Sequence, residues 1–292
     1  MSRLSKLFGS PARPARKARL GVESFDDRLV PSVTFTEDTS AHTVEVVAPE
    51  DQNNTITIRN DGDGNLQIVA DGVTRNFSHV VSLNVDTGNG RDTVTYNQGS
   101  STAAADLHRS FDLVVDFRTR FFSQDYKGDT FTANVFGNVG YYDGTMRPRA
   151  LEMYVRGGEG NDRIDFNFHD TDVRTGSGLY VYAFGMGGND NITLDSDGEV
   201  DGEYTFRIEG LDGNDAVKAN ILLDTGSNGK LHGNVSGWFG SDNLRLAVRH
   251  QTGSNAVVDA IVDGGLSLFD NDVGRHTSNV RTSWLEQDIS IQ

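Results

Sequence analysis

Four segments of the chain set the same residue types at the same spacing. They are Gly157-Gly158-Glu159-Gly160-Asn161-Asp162, Gly185-Met186-Gly187-Gly188-Asn189-Asp190, Gly210-Leu211-Asp212-Gly213-Asn214-Asp215 and Gly237-Trp238-Phe239-Gly240-Ser241-Asp242. Glycine opens each unit, a second glycine stands fourth, Asp stands sixth, and an aliphatic residue stands eighth (Ile164, Ile192, Val217, Leu244). The sixth-position Asp residues are 28, 25 and 27 residues apart. If each unit is one step of a stack, neighbouring carboxylates lie roughly 4.8 Å apart. At that distance they repel by about 1 kcal/mol per neighbour in water, and by more at a lower effective dielectric. Gly157 to Arg245 holds sixteen acids and six bases, a net of −10. A bound cation would turn that repulsion into attraction, while splayed side chains and salt would relieve it in part. Gly-Asn and Asn-Asp are also ordinary turn formers, so the same residues read equally as corners kept for shape alone.

The segments around these units alternate with period two. Thr43-Val44-Glu45-Val46-Val47, Thr55-Ile56-Thr57-Ile58-Arg59, Asp92-Thr93-Val94-Thr95-Tyr96, Tyr180-Val181-Tyr182-Ala183-Phe184 and Tyr204-Thr205-Phe206-Arg207-Ile208 are examples. Such runs, bounded by Gly, Asn and Asp, read as strands separated by turns. No stretch carries an apolar stripe of helical period with caps. Degenerate copies of the turn lie upstream: Gln52-Asn53-Asn54 before Ile56, Thr87-Gly88-Asn89-Gly90-Arg91-Asp92 before Val94, and Lys127-Gly128-Asp129 before Phe131. Their steps are longer, at 38, 37 and 33 residues. A fixed strand-rich repeat predicts an all-β, parallel β-solenoid with coils of about 25–28 residues, two or three short strands each, and the eighth-position aliphatics stacked inward. The expected layout is a basic, disordered tail over 1–32 and an N-terminal β region of irregular longer coils, or a separate β-sandwich, over 33–145. Regular repeats follow over 146–265 and a C-terminal cap over 266–292.

The Gly-Gly-x-Gly-Asn-Asp-x-aliphatic unit resembles the repeat of RTX-type calcium-binding proteins. That resemblance implies Ca²⁺ held between stacked turns by glycine-corner carbonyls and the sixth-position carboxylate. Carried over, the carboxylates are Asp162, Asp190, Asp215 and Asp242. The corner donors are Gly157, Gly158, Gly185, Gly187, Gly210 and Asp212. Ca²⁺ takes six to eight oxygens, and an open glycine corner exposes several together. The sequence departs from that family in carrying one turn per 25–28 residues rather than tandem nonapeptides, and in Met186, Leu211 and Trp238 at the second position.

Composition narrows the rest. The chain has 292 residues, a net charge of −16 and no cysteine, so disulfides and Cys zinc sites are excluded. Six of its basic residues fall in the first nineteen positions with no acid among them, leaving −22 on the body. A body of that charge repels nucleic acid. No run of eighteen apolar residues predicts a membrane-spanning helix. After the basic tail, Leu20-Gly21-Val22-Glu23-Ser24-Phe25-Asp26-Asp27-Arg28-Leu29-Val30-Pro31-Ser32 resembles the LExLEDRxVPS segment of planctomycete exported and surface proteins. The resemblance implies export, with other cell-surface proteins or surface polysaccharide as partners.

Catalytic signals are sparse. His42, His79, His108, His169, His232, His250 and His276 show no His-Glu-x-x-His spacing, and Ser177 lacks a nucleophile elbow. Acid pairs such as Asp195/Asp197 carry little information in so acidic a chain. A pectate-lyase-like reading survives, with Lys218, Arg245 or Arg249 as the base on a sheet face. Phe121, Phe122, Tyr126, Tyr141 and Tyr142 form an aromatic cluster suited to stacking carbohydrate, or to filling a core. The sequence therefore predicts a non-catalytic, exported, Ca²⁺-binding solenoid with a structural or adhesive role, against a metal-free structural solenoid and a polysaccharide-active β-helix.

Overall fold

A computed structural model describes residues 33–117, 126–143 and 145–264, together with the backbone of 276–280. The leader segment, Phe121, Phe122 and most of the expected C-terminal cap lie outside the described residues. In chain order the strands are β1 (Thr34–Asp38), β2 (Thr43–Val47), β3 (Thr55–Asn60), β4 (Leu66–Ala70), β5 (Val73–Phe77), β6 (Ser82–Asp86) and β7 (Thr93–Gln98). Then come β8 (Phe111–Asp116), β9 (Thr130–Phe136), β10 (Tyr141–Tyr142), β11 (Met146–Arg147), β12 (Ala150–Glu159), β13 (Arg163–His169) and β14 (Gly178–Gly187). The last are β15 (Asn191–Gly198), β16 (Glu203–Asp212), β17 (Ala216–Leu223), β18 (Lys230–Phe239), β19 (Asn243–His250), β20 (Val257–Asp263) and β21 (His276–Val280).

The chain is an all-β parallel solenoid. Each coil places one strand in a first sheet, turns at a glycine corner, and places the next strand in a second sheet. The first sheet runs β1-β2-β6-β8-β12-β14-β16-β18-β20-β21 and the second β19-β17-β15-β13-β9-β7-β3-β4-β5. Neighbouring coils pair in parallel, as in Ile164 opposite Ile192 and Ile192 opposite Val217. A third, minimal ladder joins Leu107, Val139, Val173 and Val200 through isolated parallel bridges. The coils through Leu107, Val139, Val173 and Val200 therefore have two strands and a single-residue third contact.

The eighth-position aliphatics form the expected column. Ile164, Ile192, Val217 and Leu244 stack in register, and Ile56, Val94 and Phe131 continue the column upstream. All seven are buried. On the facing sheet Leu113, Met153, Val181 and Phe206 form the opposing column. Burying each such side chain contributes about 1.5–3 kcal/mol, so one core cluster runs from Val33 to Val262.

Two of the longer upstream steps are ordinary coils carrying insertions. The step from Asn54 to Asp92 contains the β4–β5 hairpin, added antiparallel to the edge of β3. The step from Asp129 to Asp162 contains the small β10–β11 hairpin. The pairs β8–β12 and β9–β13 carry both sheets through residue 146 without a break, so the coils of 33–145 stack on those that follow. Antiparallel strands close the N-terminal end, β1 on β2 and the β4–β5 hairpin on β3. At the other end of the first sheet β21 pairs antiparallel with β20.

Candidate functional site

The glycine corners stack into one file. Asp92, Asp129, Asp162, Asp190, Asp215 and Asp242 are all buried, none more than 7% exposed. Each Oδ1 accepts the backbone N–H of the corner residue in the preceding coil. Asn54 donates to Asp92 at 2.7 Å, Asp92 to Asp129 at 2.7 Å and Asp129 to Asp162 at 2.7 Å. Asp162 donates to Asp190 at 2.8 Å, Asp190 to Asp215 at 2.7 Å and Asp215 to Asp242 at 2.8 Å. A second file runs the opposite way along the exposed fifth position. Asn161 Oδ1 accepts the Asn189 N–H at 2.7 Å, Asn189 Oδ1 that of Asn214 at 2.8 Å, and Asn214 Oδ1 that of Ser241 at 2.8 Å. Each coil thus reaches back through its Asp and forward through its Asn, satisfying corner N–H groups that lie outside the strand ladders.

The glycines follow from close packing at this seam. The first position is skipped on both strands of each pair, a matched gap in the ladder. A Cβ at Gly185 or Gly210 would collide with Oδ2 of Asp190 or Asp215 respectively. At the fourth position φ is +126° for Gly188 and +150° for Gly213, and a Cβ there would sit on the carbonyl oxygen of the fourth-position glycine one coil back. The second position is different: φ is 82° at Met186, 78° at Leu211 and 77° at Trp238. These left-handed conformations cost an L-residue roughly 1–2 kcal/mol. The chain accepts the strain three times to keep the corner's shape.

The charge state of the file is unusual. Burial pushes the Asp190 carboxyl up to about 8, helped by the neighbouring carboxylates of Asp162, Asp215 and Glu159, while the Asp162 N–H holds it back. Asp215 is raised to about 6, again chiefly by burial. The second oxygens, Asp190 Oδ2 and Asp215 Oδ2, are buried without a hydrogen-bond partner. The same niche is filled differently in the first copy. There Asn54 stands at the sixth position, and its Nδ2 donates to the Thr87 carbonyl at 3.1 Å, that of the first residue in the next corner. Beside Gly185, the unpartnered Asp190 Oδ2 and the Gly210 carbonyl oxygen, both acceptors, line the space a Cβ would take.

The expected ligand set separates into two groups. Asp162, Asp190, Asp215 and Asp242 come together with the first-position glycines Gly157, Gly185 and Gly210 on the inside of the corner. Gly158 follows at the second position, with φ +103°. Gly187 and Asp212 lie off the Asp file, and their carbonyls already accept the Gly160 and Gly188 N–H groups at 2.7 and 2.8 Å. Among the described residues no group of three or more His, Asp or Glu side chains is placed to hold a metal ion. Asn54, Asp92 and Asp129 belong to the file as fully as the four later positions. Their signal was the aliphatic or aromatic residue two places on.

Elsewhere, Lys218 and Arg245 are register neighbours on the outer face of the second sheet. A cleft of about 410 Å³ there brings Arg245 and Arg249 beside His169, Asp195, Asp197 and Asn220. Its two acids are committed: Asp195 accepts from Asn220 Nδ2 at 2.6 Å and Asp197 from the Asp170 N–H at 2.9 Å. Tyr126 and Tyr142 are exposed rather than core. No known protein family, curated protein or solved structure matches the chain.

Proposed function

We propose that this chain is a non-catalytic structural repeat protein, working outside the cell or at its surface, whose corner file holds a proton at Asp190. The observation that carries the reading is Asp190 Oδ2, buried and without a hydrogen-bond partner beside the Gly210 carbonyl. A protonated carboxyl supplies the donor this niche lacks, as the Asn54 amide does at its own corner. The raised Asp190 and Asp215 carboxyls support the same assignment. Packing alone accounts for the glycines at the first and fourth positions. The leader-like segment from Leu20 to Ser32 supports placement outside the cytoplasm.

Calcium is the second reading, and one observation favours it: the groups facing the niche are all oxygens, carboxylate and glycine carbonyl, the donors Ca²⁺ prefers. Asp190 would hold the ion through Oδ2 with the Gly210 carbonyl, Asp215 would do the same one coil on, and the ion would neutralise the file in place of protons. Thermal unfolding at pH 5 and pH 9, in EGTA, CaCl₂ and MgCl₂, separates the two. The proton reading expects a midpoint that falls from pH 5 to pH 9 and ignores both metals. A Ca²⁺-specific rise at pH 9 that disappears in Asp190→Asn plus Asp215→Asn replaces it with the calcium reading. A midpoint indifferent to pH and to Ca²⁺ overturns both.

A further inference from the structure

The outer face of the first sheet carries an aromatic surface that the corner file does not use. Alternation turns Val181 and Ala183 inward and leaves Tyr180, Tyr182 and Phe184 on the solvent side of β14. Tyr154 of β12 lies in register with Tyr182. Ring centroids of Tyr154 and Tyr182 are 6.2 Å apart, and those of Tyr154 and Phe184 are 5.3 Å apart. Polar groups border the rings. Tyr180 Oη donates to Glu203 Oε2 at 3.3 Å, and the Arg156 guanidinium lies 4.4 Å from the Tyr154 centroid while pairing with Asp116 at 3.1 Å.

This surface continues into a hollow. Tyr180 is in register with Glu152, and Glu152 with Asp112 of β8. Asp112 lines an open pocket of about 600 Å³ together with Asp63, His108, Arg109, Tyr141 and Arg149. In it the Tyr141 ring is bracketed by Arg149, 5.5 Å from its centroid, and by the His108 ring at 4.3 Å. His108 Nδ1 and Asp63 Oδ1 are 2.7 Å apart, which fixes the imidazole.

We infer that this face is a binding track for a neutral polysaccharide strand, laid across the coils from the Tyr141 hollow to the Tyr154–Tyr182–Phe184 rings. Tyr182 and the sides of Tyr154 and Phe184 left open by Arg156 and Arg207 offer apolar surface to pyranose C–H groups, and Glu152, Tyr180, Glu203 and Arg149 offer hydrogen bonds to hydroxyls. The coil step of roughly 4.8 Å is comparable to one sugar unit, so groups recurring once per coil meet groups recurring once per residue of the glycan. Charge selects a neutral chain. Arg156 and Arg207 already pair with Asp116 and Glu209. Asp112 and Glu152 stand side by side, and burial and mutual repulsion hold Glu152 above the usual carboxylate range. A polyanion would add charge to that row. The inference depends on neither the proton nor the calcium reading of the corners.

The test uses the full chain, with depletion onto microcrystalline cellulose and chitin and affinity electrophoresis in mixed-linkage β-glucan, xylan and polygalacturonate. At least one neutral glycan should retain the protein, and Tyr154→Ala plus Tyr182→Ala should weaken retention at least tenfold. Tyr180→Phe plus Glu203→Gln keeps every ring and should weaken it several-fold, so a folding defect in the first pair does not decide the matter. Arg163→Ala, on β13 of the second sheet, should bind as the wild type does. Retention by no neutral glycan, retention by polygalacturonate alone, or retention unchanged in both double variants overturns the inference.

Discussion

Asn54 and Asp190 occupy the same place in their corners, yet Asn54 Nδ2 donates to the next corner's Thr87 carbonyl at 3.1 Å where Asp190 offers only a second acceptor oxygen to the Gly210 carbonyl. One atom's identity decides whether the niche holds a donor of its own or needs a proton or a cation.

Replacing Asp190 by Asn should therefore stabilise the fold above pH 8, by about 1–2 kcal/mol, because an unsatisfied buried acceptor becomes a donor with a partner. Asp190→Ala should instead cost about 1–3 kcal/mol, because the buried Asp162 N–H loses its acceptor. Urea denaturation at pH 8.5 measures both. An Asn variant weaker than the wild type at that pH would count against the acceptor pairing.

Stability should fall as pH rises. The Asp190 carboxyl sits at about 8 in the fold, above the ordinary carboxylate range of an unfolded chain, so the folded state binds its proton more tightly. The stabilisation is complete below the unfolded value and is lost as pH climbs through the folded one. Asp215, at about 6, adds its loss at the lower end of the same window. Melting midpoints in EGTA should drop between pH 5 and pH 9, with the upper part of the drop flattened in Asp190→Asn.

The fourth-position glycines should tolerate nothing larger. A Cβ at Gly188 would land on the Gly160 carbonyl oxygen, whereas one at Gly72 meets nothing within 4 Å, although both have positive φ. Gly188→Ala should cost about 3 kcal/mol, a steric loss added to strain, and Gly72→Ala about 1 kcal/mol of strain alone. Equal losses in the two would show that close approach between coils does not set the corner.

Leu211 holds φ at 78° without glycine's freedom. Leu211→Asn keeps a side chain and suits the left-handed region, so it should gain about 0.5–1 kcal/mol. A loss greater than 1 kcal/mol, read by chemical denaturation, would mean that half-buried Leu211 contributes packing that outweighs its strain.

The inward columns were legible because alternation and a fixed step leave little choice. Ile56, Val94, Phe131, Ile164, Ile192, Val217 and Leu244 could be aligned from their place after each turn, and they stack in that order. The upstream coils were harder to read because an inserted hairpin such as Leu66–Ala70 with Val73–Phe77 alternates just as a coil strand does. The use of the Asp residues depends on the offset between coils, which no single repeat contains. A carboxylate one coil on reaches an N–H one coil back, so residues 25 to 28 apart complete one another. The outer aromatics were visible as strand residues. Which of them share a face with Tyr154 is a matter of register between β12 and β14.

The two corner files also bear on how such a chain changes length. Every bond in them joins adjacent coils, Asp to the coil before and Asn to the coil after, and none reaches further. A duplicated coil inserted between two others would present an acceptor and a donor to each neighbour in the positions they already use. Gene duplication in steps of one coil would then extend the rod without any compensating substitution. The antiparallel strands β1, β4 and β5 at the N-terminal end present no such corner, so the stack does not grow from that end.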